Sequence, residues 1–207
     1  KEIGMTAFQK NQLESIILPD SVTKLGSGAF ATNPKLKKII LSKNLTDIPG
    51  GAFGCSDAQN YMTDLTELTI PEGVKTIGNN AFAGNNIHKI VIPSSVTSIG
   101  NYAFSTKEYL TDDCTLTLSE GLKSIGSRAF RNKTIKSVVL PSTVEKLQAN
   151  TFEKVYSSGA EAVKTKVYVS SETQYNDTKN FPQSDCHSLI LKVPGQEDKW
   201  NAEDFTY

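Results

Sequence analysis

The dipeptide Ala-Phe recurs at Ala7-Phe8, Ala29-Phe30, Ala52-Phe53, Ala81-Phe82, Ala103-Phe104 and Ala129-Phe130, with Thr151-Phe152 as a degenerate seventh copy. Successive spacings are 22, 23, 29, 22, 26 and 22 residues. Self-similarity at such a period marks a stacked-repeat architecture, because each unit is one supersecondary element that cannot bury its apolar face alone. Each pair closes a longer unit, clearest over 87–104, which reads Ile-His-Lys-Ile-Val-Ile-Pro-Ser-Ser-Val-Thr-Ser-Ile-Gly-Asn-Tyr-Ala-Phe. The other units open at Leu13, Leu36, Leu65, Asp113 and Ile135.

Numbered from the opening residue, positions 1, 4, 6, 10, 13 and 18 are apolar and position 17 is alanine. Positions 4 and 6 alternate as a strand requires, as in Leu68 and Ile70 or Leu116 and Leu118. Pro or Ser follows at position 7 (Pro19, Ser42, Pro71, Pro93, Ser119, Pro141). Proline lacks a ladder N–H and ends the strand. A polar pair turns the chain, and Val-x-x-Ile-Gly makes a second extended segment. Glycine at position 14 (Gly26, Gly78, Gly100, Gly126) serves either a positive φ or a close backbone approach. A single helical turn is expected over Ala-Phe. One unit buries too little apolar surface to offset the entropy of ordering its own backbone, so the units must stack, with parallel hydrogen bonds and a phenylalanine ladder between them.

Composition excludes several classes. The 22 Lys plus Arg balance 22 Asp plus Glu over 207 residues, which removes the basic excess expected of a nucleic-acid binder or a polybasic membrane anchor. No apolar run is long enough to span a bilayer, and no signal peptide opens the chain. Cys55, Cys114 and Cys186 are widely spaced and odd in number, and His88 and His187 stand apart. That pattern suits neither a disulfide scaffold nor a zinc site, so no metal or cofactor is expected.

The pattern I-x-x-I-x-I-P-x-x-V-x-x-I-G-x-x-A-F, with Gly54-Cys55-Ser56 following one Ala-Phe, resembles the BspA-type leucine-rich repeat of bacterial surface proteins. The resemblance implies an α/β-type, mostly β, repeat solenoid. Its superhelix would be right-handed, with a parallel concave sheet built from the first strands, short helical turns and a C-terminal cap. It implies an exported or cell-surface location and a non-catalytic role in adhesion or protein binding. Three departures stand out: Asp113 at an apolar position, Pro49 in place of glycine, and Gln148 with Thr151 in the sixth unit.

About seven coils are expected over 1–169. The first is partial, because Ile3-Gly4 and Ala7-Phe8 fall at positions 13, 14, 17 and 18 without the preceding strand, which reads as a piece of a longer polypeptide. Residues 170–207 read as a capping segment, with the apolar run from Leu189 and with Trp200 covering the last coil.

Exposed strand positions are the candidate binding surface. Position 5 reads Ile17, Ile40, Thr69, Val91, Thr117, Val139 and Tyr168, and position 3 reads Ser15, Lys38, Glu67, Lys89, Thr115, Ser137 and Lys166. Such a ridge suits a protein surface or extended peptide, and its composition also suits plain strand formation. Lys37, Lys38, Lys89, Lys136 and Lys166 outnumber Glu14 and Glu67 there, which extends the candidate partners from a host extracellular-matrix or cell-surface protein to an acidic glycan. Longer connections at 54–64, 105–112 and 153–163 each carry a tyrosine, Tyr61, Tyr109 and Tyr156. Tyrosine favours interfaces, and it equally packs down on its own coil. An enzyme would need clustered carboxylates, whereas Glu14, Glu67 and Asp113 come from separate units. The alternative to a binding module is a structural spacer or assembly unit that stacks through its N-terminal end.

Overall fold

The computed structural model describes residues 1–55, 63–106, 113–154, 164–169, 172–182, 184 and 187–191. Among them the strands are β1 (Glu2–Ile3), β2 (Ser15–Ile17), β3 (Lys24–Leu25), β4 (Lys38–Ile40), β5 (Asp47–Ile48), β6 (Thr76–Ile77), β7 (Lys89–Ile92), β8 (Ser98–Ile99), β9 (Thr115–Leu118), β10 (Ser124–Ile125), β11 (Ser137–Leu140), β12 (Lys146–Leu147), β13 (Thr165–Val169) and β14 (His187–Leu191). One helix, α1 (Glu172–Asn176), follows β13. Every ladder is parallel, and equivalent residues of successive units stand opposite each other, as in Ile16↔Ile39, Ile90↔Leu116 and Ile77↔Ile99. The chain is a parallel β-solenoid.

Each unit contributes two strand segments. The first segments pair as β2-β4, β7-β9 and β11-β13-β14, and the second as β1-β3 and the continuous β5-β6-β8-β10-β12. The core lies between these layers. Its largest components are the position-18 rings: Phe8, Phe30, Phe53, Phe82, Phe104, Phe130 and Phe152 stack face to face at 5.2 to 5.7 Å with planes within 2 to 13°. The position-17 alanines keep this column narrow. The Phe30 N–H donates to the Ala52 carbonyl at 2.8 Å, Phe53 to Ala81 at 2.8 Å and Phe82 to Ala103 at 2.8 Å, so the backbone is laddered beside the rings.

The expected helical turn over Ala-Phe is not formed. The Ala29 N–H bonds the Gly26 carbonyl at 3.2 Å and the Ala31 N–H bonds the Gly28 carbonyl at 3.0 Å, giving two successive tight turns. The physical reason is position 16. Thr6, Gly28, Gly51, Asn80, Tyr102 and Arg128 all sit there at φ between 52° and 64°, in the left-handed region that a right-handed helix cannot include. The position-14 glycines serve the other of their two expected uses. A Cβ on Gly100 would stand 2.5 Å from the Asn79 nitrogen, and one on Gly126 2.5 Å from the Asn101 nitrogen. They allow adjacent coils to touch.

Asparagines after the phenylalanine satisfy buried carbonyls between coils. Asn33 Nδ2 donates to Phe30 O at 2.8 Å and Phe8 O at 3.0 Å, and Asn85 Nδ2 donates to Phe82 O at 3.0 Å and Phe53 O at 2.9 Å. The irregular fifth unit repairs itself locally. Asp113 turns outward to meet Lys136 at 2.6 Å, and the buried Cys114 beside it supplies the inward side chain. At the far end, buried His187 meets Phe152 edge-on at 5.9 Å. Burial pushes its imidazole pKa down. Nε2 faces the Pro182 carbonyl at 3.0 Å and therefore carries the proton, so Nδ1 accepts from Ser184 Oγ at 2.9 Å. The expected strand at Val167–Val169 is present within β13, and β14 extends its sheet in parallel register. Trp200 lies outside the described residues.

Candidate interaction surface

The strand face is built by period-2 alternation. In β2, β4 and β7 Ile16, Ile39 and Ile90 turn to the core and the residues on either side of each turn out. Parallel register then lines up the outward residues of successive coils into rows. One row is apolar: Ile17, Ile40, Val91 and Val139 are 64%, 44%, 41% and 40% exposed. Ile17 stands opposite Ile40, and Val91 opposite Thr117. Lys38 and Lys89 flank this row and are exposed.

Tyr168 does not belong to the exposed row. It is 2% exposed although Val139, opposite it in the ladder, is 40% exposed, because α1 packs against β13. Tyr61, Tyr109 and Tyr156 lie outside the described residues.

Several charged residues pair with a neighbour on the adjacent coil. Glu14 reaches Lys37 at 3.8 Å, Asp20 reaches Lys43 at 2.8 Å, and Arg128 Nε reaches Glu153 at 2.6 Å. Glu14, Glu67 and Asp113 remain on separate coils, and two of them are held by lysines. The face is interrupted at the third unit. Glu67 makes a single bridge with Lys89, and Thr69 and Ile70 belong to no named strand. A groove of about 580 Å³ opens there, with Leu68, Thr69, Pro71, Val91 and Pro93 among its lining residues.

A buried amine was not legible in the sequence. Lys133 is 1% exposed, and its Nζ donates to the Asn85 and Ile87 carbonyls, each at 2.9 Å. Burial lowers its pKa to about 8 and raises that of the Cys114 thiol to about 11. Between pH 8 and the ordinary lysine value the unfolded chain binds the extra proton, so this contribution to stability is complete above that value and is lost as pH falls through 8. Cys114 acts in the opposite sense above pH 9. Stability should therefore rise by about 1 kcal/mol from pH 8 to 9, a slope that urea titration should find absent in Lys133→Met.

The model for the BspA type leucine rich repeat region matches with 6 copies over residues 1–62 and 55–158. The chain belongs to the BspA-type leucine-rich repeat family. Among solved structures, this family member is similar to the pneumococcal vaccine antigen PcpA at 19% identity and a TM-score of 0.39, covering 93% of this chain and 71% of that one. A leucine-rich repeat protein from Bacteroides ovatus matches at 18% identity and 0.37, covering 93% and 69%. A leucine rich cell surface protein from Faecalibacterium prausnitzii matches at 18% and 0.31, covering 97% and 85%. No curated protein matches the chain. The family assignment rests on the repeat. Among the described residues no helix is long and apolar enough to cross a membrane.

Proposed function

We propose that this BspA-type repeat chain is a non-catalytic protein-interaction module of an exported or cell-surface protein. In this reading the solenoid over 1–169 is a right-handed superhelix whose first strands line a concave face, and 170–207 caps it. The observation that carries the reading is that the outward residues Ile17, Ile40, Val91 and Val139, at one position of four units, are open to solvent while most other large apolar side chains among the described residues are buried. An apolar row bordered by charge suits a protein partner more than a glycan. The partner would be a host extracellular-matrix or surface protein, with Tyr61, Tyr109 and Tyr156 contributing to its recognition. Membership of the BspA-type leucine-rich repeat family supports the location.

The test is capture from an array of extracellular-matrix proteins and glycans. Converting Ile17, Ile40, Val91 and Val139 to serine is expected to abolish capture while the far-UV spectrum stays unchanged. Retained capture would remove the face from the reading. The alternative reading is a spacer or assembly unit of a larger surface protein. It predicts concentration-dependent oligomers in light scattering and no captured ligand.

A further inference from the structure

The interruption at the third unit brings three features together. The first is shape: the bridge at Glu67 and Lys89 is not continued through Thr69 and Ile70, whereas β7 and β9 pair over four residues. The second is apolar surface, with the exposed Val91 beside Leu68 and Pro71 in the groove. The third is charge. Glu67, Glu72 and Lys89 all line this groove. None of them joins an ion pair among the described residues, while Glu14, Asp20, Asp113, Glu145 and Glu153 each have one. Two carboxylates against one ammonium leave the groove with a net negative charge.

We propose that this groove binds an extended peptide segment of the form basic–x–apolar–x–basic. The inference rests on the strand face being an interaction surface and names the chemistry one part of it recognises. An extended chain has a side-chain period of 2, so residues i, i+2 and i+4 share one face. The apolar residue sits against Val91, Leu68 and Pro71. The two basic residues, about 13 Å apart at ~3.3 Å per residue, reach Glu67 and Glu72, which five chain positions separate. Lys89 disfavours a third cation and fixes the direction of charge along the groove.

The test uses the full chain and three fluorescein-labelled nonapeptides with central Arg-Ser-Val-Ser-Arg, Glu-Ser-Val-Ser-Glu or Arg-Ser-Ser-Ser-Arg, followed by anisotropy. The first is expected to bind at least tenfold more tightly than either of the others. Glu67→Gln with Glu72→Gln, both at exposed positions, is expected to weaken it at least tenfold. Lys24→Gln with Lys146→Gln, exposed on β3 and β12 and outside the groove, is expected to leave it unchanged. Equal binding of the acidic peptide, indifference to the double glutamine variant, or no saturation up to about 1 mM would each overturn the proposal. If the peptide result fails while the serine row variant still loses matrix capture, only the groove assignment falls. The converse result removes the wider surface reading and leaves the groove.

Discussion

Phe82→Ala is expected to lower the stability of the whole chain by about 3–5 kcal/mol, the range for removing a buried aromatic ring. Phe82 is fully buried and sits in the middle of the ring column, stacked on Phe53 at 5.4 Å and Phe104 at 5.4 Å. Its loss removes two stacked contacts and leaves a cavity that neighbouring coils can fill only by tilting. Tilting would stretch the backbone bonds from Phe53 to Ala81 and from Phe82 to Ala103. The same change at Phe8, stacked on one side only and 44% exposed, should cost much less. Urea denaturation of the two variants checks this. Equal losses would mean that the column contributes no cooperativity between coils.

Gly100→Ala should be at least as damaging, for a different reason. The new methyl would meet the Asn79 nitrogen at 2.5 Å, Asn79 Oδ1 at 2.6 Å and the Gly78 carbonyl carbon at 2.7 Å. Two of those three atoms are backbone and the third, Asn79 Oδ1, accepts from the Asn101 N–H at 2.8 Å, while the Gly100 N–H ties the two coils together by donating to the Ile77 carbonyl at 2.7 Å. Relief requires separating two coils, and a loss of about 3 kcal/mol or more is expected, the upper end for overpacking. Gly4 occupies the same position of the first unit and has nothing within 4 Å of its Cβ site. Gly4→Ala should therefore leave the melting temperature nearly unchanged. A similar shift in both variants would show that the penalty lies in backbone conformation and not in contact between coils.

These two residues also mark how far the sequence could be read. The ring column and the alternating core follow from spacing, because position 18 and positions 4 and 6 have one role in every unit. Glycine at position 14 left two uses open, and only the approach of the neighbouring coil decides between them. The missing helical turn had a signal in Gly28, Gly51 and Asn80 at position 16, but Tyr102 and Arg128 at the same position masked it. Side chains seldom take that conformation, and here two bulky ones do, with Arg128 Nη1 donating to the Tyr102 hydroxyl at 2.8 Å.

Tyr168 was misread because exposure on a strand depends on what flanks the strand, which the local pattern does not contain. The groove was hidden for a related reason. Glu67 and Lys89 occupy ordinary outward positions in their units, and only the broken ladder between them makes a recess. Lys133 sits in a connection where lysine normally faces water. Its burial depends on the two carbonyls that its ammonium reaches across to, 48 and 46 positions earlier in the chain.

The parallel ladder has a mechanical consequence. Its strands lie across the stacking direction, so a pull along the stack loads one rung at a time and does not shear all of them together. A released unit of 22 residues pays out about 75 Å of extended chain at ~3.4 Å per residue, against about 5 Å it occupied in the stack. Under tension the molecule would lengthen stepwise at modest force and recover by restacking, behaving as an extensible tether between its two ends.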